Sequence, residues 1–401
     1  VEAPDGTRED YGSPLFRNES EFVMLHGSPE GLYFITLLAN EHPNSIGAHT
    51  IRVTDTRVSK TQKVAWRLLN DAAASNARSD RQSQLQALKN YETAATLLQF
   101  TANARERAFA LYAAAMLNYW VLGEWHRADR FAANAAQQYA AAGLTGHQAN
   151  AILLQAMTLT EAINEAALKD PILERVSALL AESYAIHKQL DSAAQLAKVR
   201  YFNALSHLNA GHYEQAKRYY SDAARLFREL DDWAGERGVL LDRAVIDIDT
   251  GNSIEAIDAL KQLQRSELQN NPNPSESDRN FVATVLDQLG TAHKNVGNID
   301  EALTAFTRAQ EMHHALGDLH GEAESLRGIA GLYLELGDLD NARTFLQQAQ
   351  EVAEASNNGR VLGVIHTTLG NIEYSAANFA AARDAQTKAL ELTPEAGPVR
   401  A

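Results

Sequence analysis

The chain contains no cysteine among its 401 residues. That single absence removes disulfides, thiolate zinc sites, iron–sulfur clusters and a cysteine nucleophile. Proline is scarce too. There are nine, most of them near the two ends or at Pro272 and Pro274. The long proline-free stretches between them can hold long helices. Aromatic residues make up 7% of the chain, and no apolar run approaches the roughly 20 residues that span a bilayer. Basic residues are outnumbered 36 to 51, which gives a net charge of −15. Such a surface repels phosphate, so neither nucleic acid nor an anionic membrane is an expected partner. There is no glycine-rich phosphate loop ending in Lys-Ser/Thr, no G-x-S-x-G elbow and no H-E-x-x-H pair. No cofactor or metal is expected, and the chain does not read as an enzyme.

Alanine is abundant. It is the best helix former and lets helices approach closely. With 45% hydrophobic and 22% charged residues, the composition is that of a folded protein rather than a disordered one. Val1 stands where an initiator Met would be, which points to a processed or shortened chain. Both an exported and a cytoplasmic location stay open, with the balance towards export.

Residues 1–58 differ from the rest. A polar arm to about Asn18 precedes three strand-like runs, 21–27 (EFVMLHG), 32–41 (LYFITLLANE) and 48–58 (AHTIRVTDTRV). The turn Ser28-Pro29-Glu30-Gly31 and a loop with Pro43 and Gly47 separate them, which predicts a small antiparallel sheet leaning on the first helices. From about Thr61 the pattern turns helical and repeats over 59–392, leaving a tail at 393–401. Glycines mark tight turns at Gly211, Gly251, Gly297 and Gly337, with a related turn near Ala377. The spacing is about 40 residues except from 251 to 297, where 270–275 (NNPNPS) forms an insertion.

Other positions recur with the glycines. One unit reads Leu289-Gly290, His293, Gly297, Ala302, Phe306 and Ala309. The next reads Ile329-Ala330, Tyr333, Gly337, Ala342, Leu346 and Ala349, and the last Leu369-Gly370, Ala377, Ala382, Gln386 and Ala389. Earlier units run through Ala204, His207, Gly211, Ala216 and Tyr220, then Ala244, Gly251, Ala256 and Leu260. Weaker copies surround Tyr119, Gly123 and Ala128, and Ala87, Tyr91 and Ala94. A degenerate pair spans about 146–189, its second helix starting at Asp170-Pro171. This pattern resembles the tetratricopeptide (TPR) repeat: small residues where two helices cross, a large one wedged beside them, and a glycine stop. The expected fold is mostly all-α, a right-handed TPR-type α-solenoid of about eight helix pairs with the small β segment in front. Its 40-residue period is similar to the extended repeats of kinesin light chains and many bacterial regulators.

The resemblance implies that the first helix of each pair lines a concave groove that binds a protein or peptide. Carried over position by position, the groove comprises Leu117, Trp120, Met157, Thr160, Tyr201, Leu205, Leu208 and Asn209 in its earlier part. Leu241, Val245, Ile248, Asp287, Thr291, Lys294 and Asn295 follow, then Arg327, Leu334, Glu335, Asn371 and Tyr374. Its middle is apolar and its C-terminal part polar; the apolar residues either meet a hydrophobic partner segment or are buried against neighbouring helices by the curvature of the array. The family's Lys/Asn/Arg clamp for a terminal carboxylate is missing, since Gln288, Gly328 and Thr368 stand in its place. The order of β segment, Thr54-Asp55-Thr56-Arg57 bridge and long array also resembles the N-terminal part of bacterial TPR–CHAT proteins. That implies a regulatory region acting on a covalently linked C-terminal effector, whose His/Cys-dependent CHAT domain a cysteine-free chain does not contain.

Two sequences invite a metal reading. The stretch 247–252 (DIDTGN) places its glycine one position early for a calcium loop. His313 and His314, beside His320, are adjacent and point in different directions on a helix. Repeat turns account for both.

Overall fold

The computed structural model describes residues 59–392, other than 79, 100–102, 167, 271–272 and 356–358. The arm and β segment expected over 1–58 and the tail at 393–401 lie outside the described residues. Two compact units make up the chain, Val1–Ala210 and Gly211–Ala401. The first holds α1 (Lys60–Asn76), α2 (Arg81–Leu98), α3 (Ala104–Leu117), α4 (Trp125–Ala141), α5 (Thr145–Glu165), α6 (Asp170–Gln189) and α7 (Ala193–Ala210). A π-helical turn, Asn118–Leu122, extends α3. The second holds α8 (Tyr213–Glu229), α9 (Trp233–Asp249), α10 (Ser253–Asn270), α11 (Glu276–Asn295), α12 (Ile299–Leu316), α13 (Leu319–Glu335), α14 (Leu339–Ala355), α15 (Gly359–Ser375) and α16 (Phe379–Leu392).

Local chemistry sets the helix ends. Ser59 and Gln62 cap α1 reciprocally, as Ser275 and Asp278 cap α11. Pro171 occupies the first turn of α6, where a missing N–H costs nothing. All five turns read from the sequence are left-handed, with φ of 84° at Gly211 and Gly251, 78° at Gly297, 75° at Gly337 and 60° at Ala377. The last four close the same hydrogen-bonded stop. The Asn298 N–H donates to the His293 carbonyl at 2.9 Å, Asp338 to Tyr333 at 2.9 Å, and Asn378 to Glu373 at 2.8 Å. Ala377 is the misfit, because a Cβ in this region costs about 1–2 kcal/mol. Ala377→Gly is therefore expected to stabilise the second unit by about 0.5–1 kcal/mol once the extra freedom of unfolded glycine is subtracted. A thermal melt of the pair of chains tests it, and an unchanged or lower midpoint would count against it.

The helices pair through small and large residues 16 positions apart. Ala244 packs with Leu260 and Ala330 with Leu346 in shared core clusters. At Gly290 the fit is tighter, since a Cβ there would lie 2.8 Å from the Phe306 ring. First helices also touch one another, α3 to α5 to α7 in one unit and α9 to α11 to α13 to α15 in the other, and so form a layer of their own. The insertion is split. The α10–α11 connection has five residues against two between α12 and α13, and α11 has 20 residues against 17 in α13.

Candidate functional site

In the first unit the π turn decides which side chains the layer of first helices shows. Asn118 is fully buried and its Nδ2 donates to the Ala114 carbonyl at 2.8 Å, while Gly123 ends the turn at φ 67°. π turns widen the helix and re-aim side chains. Leu117 goes into the core and is 6% exposed, which corrects its expected place in the groove. Three residues on, Trp120 is 64% exposed, and Phe109, three helical turns before it on α3, is 44% exposed. Met157 on α5 and Tyr201, Leu205 and Leu208 on α7 are half-buried. Thr160 is buried, its hydroxyl donating to the Ala156 carbonyl at 2.9 Å. Asn209 ties α7 to α5 by donating to the Thr160 carbonyl at 3.0 Å, and its own carbonyl accepts from Lys169 Nζ at 2.7 Å.

Tyr119 is the hub of this face. Its hydroxyl donates to Glu161 Oε1 on α5 at 3.1 Å, and its ring meets Trp120 edge to face at 4.8 Å. Burial, reinforced by the Glu161 carboxylate and by Tyr201, holds its phenol well above the usual range. Phe109 and Glu161 were missed in the sequence. Phe109 lies against Tyr91 of α2, ring centroids 6.0 Å apart, and nothing local marks Glu161.

In the second unit the expected groove residues divide. Leu241 and Val245 on α9 are half-buried, but Ile248 is 4% exposed and packs in the core with Ala256 and Leu260. Its place in the groove is also corrected, because α10 folds back over the last turn of α9. Lys294 and Glu335 pair across α11 and α13 at 3.5 Å, and Arg327 pairs with Glu324 at 2.7 Å. Leu334 packs half-buried against the core. Thr291 donates to the Asp287 carbonyl at 3.1 Å, and Asn295 Nδ2 lies 3.5 Å from Ser253 Oγ. Asn371 is exposed, and Tyr374, 67% exposed, meets Phe379 edge to face at 5.6 Å.

Asp287 is engaged by its neighbours. Its oxygens accept from Ser325 Oγ at 2.6 Å and from His313 Nε2 at 3.0 Å, joining α11, α12 and α13. His313 is 2% exposed, and its Nδ1 lies 2.9 Å from Asp318 Oδ2, off the line of a hydrogen bond. Gly321 leaves the space for the imidazole, which a Cβ would overlap. Burial opposes the charged ring, but the Asp287 hydrogen bond and the charges of Asp287 and Asp318 outweigh it and raise the His313 pKa. A raised folded-state pKa stabilises below the unfolded value of 6.5 and loses that contribution as pH rises through the folded value. The stability advantage of the native chain over His313→Gln should thus be largest below about pH 6 and shrink above it. Urea midpoints of both chains across pH check this, and a constant difference would sink it. Comparing the two chains matters because burial, chiefly, lowers the pKa of His293 and His366 and gives them the opposite slope.

The two metal readings resolve as pairs. Asp247 binds Lys217 at 2.6 Å, and His314 Nδ1 lies 2.9 Å from Glu322. Among the described residues no group of three His, Asp or Glu side chains is placed to hold a metal, and no helix is long and apolar enough to cross a membrane.

The tetratricopeptide repeat family model matches residues 281–355 and 322–395. No curated protein matches the sequence. Among solved structures, the apo quorum sensor NprR from B. thuringiensis aligns with a TM-score of 0.58 at 12% identity, over 84% of this chain and 89% of that one. Aspartyl phosphate phosphatase F from Bacillus subtilis aligns with 0.57 at 13% identity, over 88% and 98%. A signal transduction ATPase with numerous domains and a TPR sensor, from Pyrococcus horikoshii, aligns with 0.56 at 11% identity, over 83% of this chain but only 54% of that one. At such identities the likeness is one of fold. The chain therefore carries tetratricopeptide repeats over 281–395, and its described helices have the fold of a TPR-type array.

Proposed function

We propose that the layer of first helices holds a polypeptide segment, making this protein a non-catalytic interaction scaffold. The carrying observation is the exposure of Trp120 on the layer of first helices that also carries half-buried Met157, Tyr201, Leu205 and Leu208. Large aromatics left in water gain free energy when a partner covers them, at roughly 25 cal/mol per Å². Three carboxylates on the equivalent layer of the second unit are occupied: Asp287 with His313 and Ser325, Glu335 with Lys294, Glu373 with Arg343 at 2.7 Å. That arrangement favours recognition over acid–base chemistry. Two of the similar structures are sensors by name, which suits this reading, while the phosphatase shares the fold alone. A covalently linked C-terminal domain, if one follows, would be a ligand in cis for the same face.

Selection of a random peptide display library on the full chain tests the proposal. Selected peptides should bind Trp120→Ala and Tyr201→Ala/Leu208→Ala at least about tenfold more weakly, as anchor residues of an interface do. Helical circular dichroism should be retained. Equal binding by the variants, or no selected peptide at all, would remove the scaffold reading.

A further inference from the structure

We infer that the inner face of the first unit takes an arginine side chain of its ligand, held between the Trp120 indole and the Glu161 carboxylate. The inference deepens the peptide-holding function proposed above and rests on it. Glu161 differs from two other half-buried acidic groups of this unit that have basic partners, Glu92 with Arg127 at 2.6 Å and Asp129 with Arg175 at 3.5 Å. Among the described residues no lysine or arginine pairs with Glu161, whose one hydrogen bond comes from the neutral Tyr119 hydroxyl. It is half-buried, on a helix whose other side chains over 151–160 are buried apart from Met157. A partly desolvated carboxylate without a counter-ion is unfavourable, and a cation restores the balance.

The surroundings specify the kind of cation. Tyr119 links Glu161 to the Trp120 ring, which is turned outward by the π turn and is the most exposed aromatic among the described residues of the first unit. Tyr201 on α7 also acts electrostatically on Tyr119. Aromatic faces attract cations, and indole does so best. A planar guanidinium can stack on indole while donating to a carboxylate, which an ammonium does less well. An acidic segment or a C-terminal carboxylate would be repelled. A lone carboxylate also lacks the further oxygen ligands that a metal ion requires.

The experiment is a parallel selection of one random heptapeptide library on the full chain and on Glu161→Gln. Glutamine retains an acceptor for the Tyr119 hydroxyl and changes the net charge of −15 by one, so general attraction of cations to an acidic surface survives in the variant. Arginine should be enriched at one position in peptides from the native chain and not in those from Glu161→Gln. In the best peptide, arginine replaced by citrulline should bind the native chain roughly tenfold more weakly, and Glu161→Gln should bind both forms within about twofold. Trp120→Leu should weaken the arginine peptide more than the citrulline one. Arginine enrichment that persists in Glu161→Gln would overturn the site. Peptides selected without arginine, yet lost in Trp120→Ala, would overturn it while leaving the scaffold function standing. A failure to select any peptide would remove the scaffold function itself.

Discussion

Replacing Arg237 by alanine is expected to cost the second unit about 3–5 kcal/mol, the usual penalty for stranding a buried charge. Arg237, on α9, is 9% exposed and donates through Nη1 to Glu267 Oε2 on α10 and to Asp278 Oδ1 on α11, both at 2.8 Å. Its guanidinium also lies over the Phe281 ring, 4.6 Å from the centroid. Glu267, 3% exposed, accepts a further bond from Trp233 Nε1 at 2.6 Å. Without the arginine, Glu267 would be an unpaired anion between three helices, at the site where the insertion has lengthened the connection. The double variant Arg237→Met/Glu267→Met removes both buried charges and is expected to recover most of the loss, since well-packed apolar replacements of buried ion pairs are often neutral. Trp233 is the one tryptophan after residue 211, so its emission reports on this joint directly. Urea titrations followed by Trp233, with hydrogen exchange over α9 to α11, give the local effect in a repeat array that need not unfold in one step. A loss under about 1 kcal/mol for the single variant would show that water or a neighbouring side chain rescues Glu267.

Why this joint escaped the sequence, while the repeats did not, is a matter of range. The left-handed stops at Gly211, Gly251, Gly297, Gly337 and Ala377 and the Gly290/Phe306 and Ala330/Leu346 pairs were legible because each is fixed by a few neighbouring residues and then repeated. Arg237, Glu267 and Asp278 are 30 and 41 positions from one another's reach, and any of them alone resembles an ordinary surface charge. Period alone also missed the surroundings of several expected groove residues, the buried Thr160 among them. Leu117 and Trp120 are three apart, which puts them on one face of a regular α-helix, but the π turn beginning at Asn118 separates them. Ile248 keeps the period of Leu241 and Val245 yet lies in the last turn of α9, under α10. Asp287 has a groove position by period and a core role by partnership, because His313 and Ser325 reach it from two other helices. Glu161 is the converse: an unremarkable residue locally, made distinctive by what does not pair with it.

The largest effect expected at a repeat position is at Phe306. Its ring lies between two first helices, and a Cβ would come within 2.8 Å of it at Gly290 on α11 and within 2.6 Å at Gly328 on α13. Phe306 is 4% exposed and packs with Ala302, Ile329 and Leu332. Phe306→Ala removes the wedge and should destabilise the second unit by about 3–5 kcal/mol, because helices spaced by an aromatic ring collapse only partly onto the cavity. The glycines are complementary to that ring. Gly290→Ala gains about 1 kcal/mol of helix propensity but must displace a ring held on its far side, and overpacking of this kind costs about 1–3 kcal/mol. The next pair of helices contains the alternative solution, Ala330 opposite Leu346, in the same core cluster. Gly290→Ala combined with Phe306→Leu copies it, and the combination should be more stable than the sum of the single changes predicts, by about 1 kcal/mol or more. A double-mutant cycle on urea midpoints measures that coupling. Additivity within about 0.5 kcal/mol would mean that the two positions do not sense each other, and that small-opposite-large pairing is not what spaces these helices.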